Sequence, residues 1–270
     1  GGPSIGESPE TRGLWYAESV WVKDAPGIAK VLVDMMTDGI TEVDVHGIDV
    51  ARYYPIQKTP SYIHDRCYET AFKIYNPAVH NREPYTKGRS LRRSPFWSRE
   101  QELGGYFMEL AGWERAHGYA SNEHLLEKYG DKVPVRENEW DNRHFWRVSN
   151  AEHLAMSDDA GMINLSHFAV YDVTGRDATI LMEYACVAKV SGDTAVGKGV
   201  YTHFLDHAGG IRADLTVIRL ALDKFRVIDG ADAGNRDYIW LKRMAEDKGW
   251  DGYRSEERRV GKECRTRGAP

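Results

Sequence analysis

The stretch that most narrows what this chain can fold into is residues 200–205, then Asp206-His207-Ala208-Gly209-Gly210, then residues 211–219. Two runs rich in apolar and β-branched residues, joined by a short segment with a glycine pair, read as a strand–turn–strand hairpin. The glycines suit a turn, and they let a ligand or another backbone approach closely. Asp214 stands inside the second run, beside Leu215 and Val217. Facing an apolar layer it would be costly unless paired or functional, whereas facing outward it is an ordinary surface carboxylate. The residues leave both options open, and Asp214 is the first candidate for chemistry.

The surroundings of the hairpin are α+β in texture. Residues 225–228 predict a further strand and 236–248 a helix. Upstream, Asn150 is expected to cap a short helix ended by Gly161, with strands at 162–165 and 169–174 and a helix over 177–185. The first forty residues read as a strand over 13–21 and a helix capped by Asp24. Pro26 lies in its first turn, Ile28, Val31, Leu32, Met35 and Met36 form one face, and Gly39 ends it. Between these regions, Ser61 opens a helix to Tyr75 that Asn76-Pro77 terminates. Ser98 is expected to cap another helix, with Leu103, Phe107, Leu110 and Ala111 on one face and Gly104-Gly105 kinking it. Residues 128–142 are charged and turn-rich and read as a linker or surface loop.

Composition excludes several function classes. With 270 residues, 41% hydrophobic and 29% charged, the chain can build a sizeable core and is too mixed for a disordered one. No window approaches the roughly 18 uninterrupted apolar residues of a membrane helix. The net charge of −5 argues against a nucleic-acid binder that works by neutralising phosphate. Cys67, Cys186 and Cys264 are scattered and odd in number, which disfavours a disulfide framework or a zinc site and points to a reducing compartment. No metal is expected. His203 and His207 are four apart, but across a strand and a turn rather than on one helix face. Most of the ten histidines are expected to be surface or hydrogen-bonded core residues, and Trp113-Glu114-Arg115 a structural charge cluster. Asn164-Leu165-Ser166 matches a glycosylation sequon and is read as an accident. The turn Trp21-Val22-Lys23-Asp24-Ala25-Pro26-Gly27 enters a helix N-terminus, where backbone N–H groups attract electron-rich groups, although an ordinary capped turn is the commoner case.

Several segments together resemble one family. GLWYAESVWVKDAPGIAKVLVDMMTDG is similar to the end of the flavin domain in dimethylglycine and sarcosine dehydrogenases. DVHGIDVARYYP and YNPAVHNREPYTKGRSLRRSPFWSREQELGGYFMELAGWERAHGY resemble their small central domain. MINLSHFAVYDVTGRDA and VGKGVYTHFLDHAGGIRADLTVIRL resemble the start of their folate domain, shared with the glycine-cleavage T-protein. The resemblance implies an α+β chain made of a flavin-domain tail (1–40), a central domain (41–122), a linker (123–149) and the first part of a folate-binding domain (150–250).

It also implies an activity. The complete enzyme would oxidise an N-methyl amine on FAD and pass the one-carbon unit to tetrahydrofolate, with no nucleic-acid or membrane partner and an unspecified electron acceptor. Asp214 matches the carboxylate of the family's GGIxxDL motif, and Tyr201 a tyrosine lining the folate site. Val22, Ala25, Pro26 and Gly27 match the loop that approaches the flavin, although Trp21-Val22-Lys23-Asp24 stands where the family usually reads Trp-Val-Thr-His. The location implied is cytoplasmic, or the mitochondrial matrix in a eukaryote. The alternatives are a folate-dependent aminomethyltransferase without flavin and a non-catalytic regulatory relative. The chain lacks an initiator Met, and it is expected to be the inactive middle of a longer enzyme. Residues 254–270 fit no expected element and resemble a translated sequencing adapter, so no function is expected of them.

Overall fold

The computed structural model describes residues 3–75, 84–135, 146–250 and 256–257. One compact unit joins Gly1–Tyr54 to Phe168–Arg259, and the other is built on Pro55–His167. The first unit opens with an antiparallel pair, β1 (Ser4–Glu7) and β2 (Trp15–Glu18), then helix α1 (Ala25–Thr37). The second contains α2 (Pro60–Tyr75), α3 (Trp97–Glu102), the hairpin β3 (Gly105–Leu110) and β4 (Trp113–Tyr119), then α4 (Leu125–Tyr129) and α5 (Trp146–Asp158). The chain returns to the first unit with β5 (Ala169–Thr174), α6 (Ala178–Ala185), β6 (Gly199–Leu205), β7 (Ile211–Ala221), β8 (Lys224–Asp229), α7 (Gly234–Lys248) and β9 (Glu256–Glu257).

In the first unit an antiparallel sheet of order β6-β7-β8-β5-β9 carries the core. Strand alternation puts Phe204, Leu215, Val217, Phe225 and Val227 on its inner face, packed with Leu181 and Met182 of α6 and Leu241 of α7. Burying each such side chain contributes about 1.5–3 kcal/mol. Helix α7 ends in a left-handed Gly249 (φ 65°), whose flanking amides satisfy the last carbonyls: Gly249 N–H donates to Glu246 O and Trp250 N–H to Ala245 O. At its other end Gly234 lies so close to β5 that a Cβ would overlap the Ala169 side chain. Asn235 Nδ2 donates to the Ala51 and Tyr53 carbonyls at 2.7 and 2.9 Å, fastening α7 to the chain before residue 55.

The hairpin, β5, α6, β8 and α7 match the sequence expectations to within two residues. Other elements differ. Helix α1 forms where expected, yet none of its residues is buried, and Met36 of the expected apolar face is exposed. Asp24 occupies the N-cap position without a side-chain cap bond, its carboxylate pairing instead with Lys23 at 2.9 Å.

The helix expected from Ser98 to Ala111 stops at Glu102. Gly104 adopts φ +70°, and a Cβ on Gly105 would sit 2.8 Å from Glu100 O, so the glycines end the helix rather than kink it. The following residues form the β3–β4 hairpin. Its turn is the pair Ala111-Gly112, at φ +51° and +82°, between the paired Leu110 and Trp113. Two positive φ values in a two-residue loop are what the strand twist selects.

Asn150 is not a cap but lies inside α5, its Nδ2 donating to Trp146 O at 2.8 Å. Residues 162–165 form no strand, and Met162 is 98% exposed. Within the stretch read as loop from residue 128, Tyr129 and Val133 are buried against Ala151 of α5, while 136–142 lies outside the described residues. Of the adapter-like segment after residue 253, Glu256 and Glu257 pair with Asp172 and Tyr171 of β5, and the rest is outside the described residues.

Candidate functional site

The turn of the β6–β7 hairpin is closed by Asp206, whose Oδ1 accepts from the Ala208 and Gly210 amides at 2.9 and 2.8 Å. Gly209 takes φ +86°, and a Cβ there would meet nothing within 4 Å, so its role is the positive φ and not a close approach. This turn and a one-residue register shift at Phe204/Leu205 set the pairing His203↔Asp214 and Tyr201↔Thr216. Because side chains alternate, Tyr201, His203, Asp214 and Thr216 share the sheet face opposite the core.

Asp214 is therefore exposed, which settles its orientation: it meets no apolar layer. The Tyr201 hydroxyl donates to Asp214 Oδ2 at 3.2 Å. The Tyr201 phenol is pushed above its ordinary value by lost hydration and by the charge and hydrogen bond of Asp214. The His203 ring stands edge-on to Tyr201, with centroids 5.2 Å apart. Nothing in the local sequence marks His203 for a role. Its position beside Asp214 follows from strand register, a signal that the turn length encodes but the local residues do not. Arg226, farther along the same face, is occupied by Asp172, to which its Nε and Nη2 donate at 2.7 and 3.0 Å.

Val22, Ala25, Pro26 and Gly27 are exposed and lie at the start of α1, on a different element from the hairpin pair. The Asp24 and Ala25 amides donate to Trp21 O at 2.9 and 3.0 Å, so the entry turn is closed locally. A Cβ on Gly27 would meet nothing within 4 Å, so no neighbouring atom requires glycine there.

The remaining candidates behave structurally. His167 is buried edge-on to Trp113 and within 3.3 Å of Glu114 O, and burial lowers its pKa. Glu114 is buried and held by Arg89. Burial pushes the Cys186 thiol up to about 12, so it is inert, while Cys67 is exposed. Among the described residues no group of three His, Cys, Asp or Glu could hold a metal ion, and no helix is long and apolar enough to cross a membrane.

The model of the GCVT N-terminal domain matches residues 96–259, and that of the FAD dependent oxidoreductase central domain matches 38–94. The chain belongs to the sarcosine and dimethylglycine dehydrogenase-like family. It is 33% identical over 91% of its length to 4-methylaminobutanoate oxidase (formaldehyde-forming) of Paenarthrobacter nicotinovorans. It is 29% identical over 81% to the mitochondrial sarcosine dehydrogenase of Homo sapiens. It is also 26% identical over 88% to the mitochondrial pyruvate dehydrogenase phosphatase regulatory subunit of Mus musculus. The chain spans 29%, 26% and 27% of these relatives, respectively.

Proposed function

We propose that the protein containing this chain is an FAD-dependent oxidoreductase that demethylates a small N-methyl amine and passes the one-carbon unit to tetrahydrofolate. The chain would contribute the start of the folate domain, with Asp214 as its catalytic carboxylate. The observation that carries this reading is the Tyr201–Asp214 hydrogen bond on an open sheet face, inside the segment matched by the GCVT domain.

The donor set suits a folate. Asp214 offers carboxylate oxygens to the N–H groups of a pterin, and Tyr201 and His203 offer aromatic surface beside them. When bound, FAD would take hydride from the amine and tetrahydrofolate would take up the carbon released. Asp214 would accept the proton that a folate nitrogen loses on forming its new bond to carbon, and its charge would favour the cationic form of the incoming carbon. Tyr201 would hold Asp214 Oδ2 in place by its hydroxyl. Of the flavin-loop residues, Ala25, Pro26 and Gly27 would meet FAD only through backbone, and Val22 through its exposed side chain.

Similarity to a regulatory subunit favours a second reading, in which the fold is kept without the chemistry. Mixing the full-length protein anaerobically with sarcosine, dimethylglycine or 4-methylaminobutanoate separates the two. Bleaching of bound flavin by one of these amines is expected. A protein that carries no flavin, or whose flavin none of them reduces, would favour the regulatory reading.

A further inference from the structure

On the other side of β7 from the candidate site, charged side chains from four separate places in the first unit are packed together. Asp229 ends β8 and is 3% exposed; Asp237, in the first turn of α7, is 0% exposed. Arg236 Nε and Nη2 donate to the two oxygens of Asp237 at 2.7 and 2.9 Å, and Nη2 also donates to Arg212 O at 3.0 Å. Arg212, near the start of β7, lies 3.7 Å from Asp49, and His46 of the same N-terminal segment faces Arg212 and Arg236. The two aspartates lie within hydrogen-bonding reach of each other. Asp229 Oδ1 accepts from the Gly230 amide at 2.6 Å, but Oδ2 is buried with no donor pointing at it.

Two carboxylates cannot make that contact while both are ionised, and a buried carboxylate oxygen without a donor is costly. A proton on Asp229 Oδ2 resolves both problems, since the hydroxyl then donates to Asp237. Asp237 is the ionised member, because both its oxygens already accept from Arg236.

We propose that Asp229 and Asp237 share one proton at neutral pH, carried on Asp229 Oδ2, and that this pair is a pH-sensitive latch between the end of β8 and the first turn of α7. Loss of the proton leaves two buried like charges in contact; among the described residues the cations that act on the pair are Arg236 and, from β7, Arg212, which Asp49 and Asp206 also face. The latch also bears on β7, because Arg236 clamps the carbonyl of Arg212, two residues before Asp214 on the same strand.

Burial and the charge of Asp237 push the Asp229 carboxyl up to about 8. The folded chain therefore binds one proton more than the unfolded chain between about pH 4 and 8. Across that window stability falls as pH rises, with the unfolding constant growing by up to about tenfold per pH unit from this group. Burial and the two arginines lower the pKa of His46, so His46 acts in the opposite sense as pH rises through about 6.5. A comparison at each pH with Asp229→Asn removes that background, because the Asn amide can donate to Asp237 without a titrating proton.

The test is urea unfolding of the 270-residue chain and of Asp229→Asn between pH 5 and 8.5, followed in the first unit. The variant should gain on the wild type as pH rises, by at least about a hundredfold in unfolding constant between pH 5 and 8. Parallel profiles would overturn the proposal. Should the variant not fold, carboxyl carbon NMR of the wild type decides: an Asp229 resonance still protonated at pH 7 supports the shared proton, and one that titrates near 4 overturns it.

Discussion

Glu114→Gln tests whether the charge cluster of the second unit holds its fold. Glu114 is 2% exposed; it accepts from Arg89 Nε at 2.9 Å, Arg89 Nη2 at 2.5 Å and the Ser90 amide at 2.6 Å. Breaking a buried pair by removing one partner costs about 3–5 kcal/mol. Here the Arg89 side chain keeps 25% exposure and its bonds to Tyr85 O and Phe107 O at 2.7 and 3.0 Å. Glutamine also retains one acceptor, so we expect a loss of about 2–3 kcal/mol, at or below the lower end of that range. Burial pushes the Glu114 carboxyl up, but Arg89 and the Ser90 amide outweigh it and hold the group below its ordinary value. Its contribution is therefore present above about pH 4.3 and is lost as pH falls through the lower folded value. Native-state hydrogen exchange of the β3 and β4 amides reads the effect. Protection should fall by more than about tenfold at neutral pH, and the gap from wild type should close in acid. A smaller fall, or a gap that stays constant in acid, would refute the reasoning.

Three further outcomes follow from the geometry. Gly234→Ala forces a methyl group into Ala169 and should destabilise the first unit by about 1–3 kcal/mol in urea unfolding; a neutral result would mean that α7 can shift from β5. Of Cys67 and Cys186, only Cys67 should react with a thiol reagent in the folded chain at neutral pH, as peptide mapping of the modified protein can show. Tyr201→Phe removes an exposed hydrogen bond and should leave the urea unfolding midpoint of the first unit essentially unchanged. In the full-length protein it should slow carbon transfer to tetrahydrofolate without slowing flavin reduction, as stopped-flow measurement of both would show.

The sequence was most informative where a local rule and the tertiary fold agree. The β6–β7 hairpin, α6 and α7 each carry their own turn or cap, and Gly249 ends α7 as a C-terminal glycine should. Between residues 97 and 119 the same glycines supported two readings. Leu103, Phe107 and Leu110 can be spaced along a helix, but Gly104 at φ +70° and the Ala111-Gly112 turn commit the segment to a hairpin. Asp214 is a candidate from its place in an apolar strand, and Tyr201 only through the family resemblance. Their mutual contact and the placement of His203 depend on register, which a single bulge at Phe204/Leu205 changes. The Asp229–Asp237 cluster was invisible in the sequence because its members come from residues 46–49, 212, 229 and 236–237, joined only by tertiary packing.

The most direct test of the central claim is the fate of the methyl carbon in the full-length protein bearing Asp214→Asn. Flavin reduction by the N-methyl amine should proceed at the wild-type rate. In the presence of tetrahydrofolate, the carbon that wild type delivers to folate should instead leave as free formaldehyde. Equal loss of flavin reduction and carbon transfer, or wild-type delivery to folate, would contradict the role assigned to Asp214.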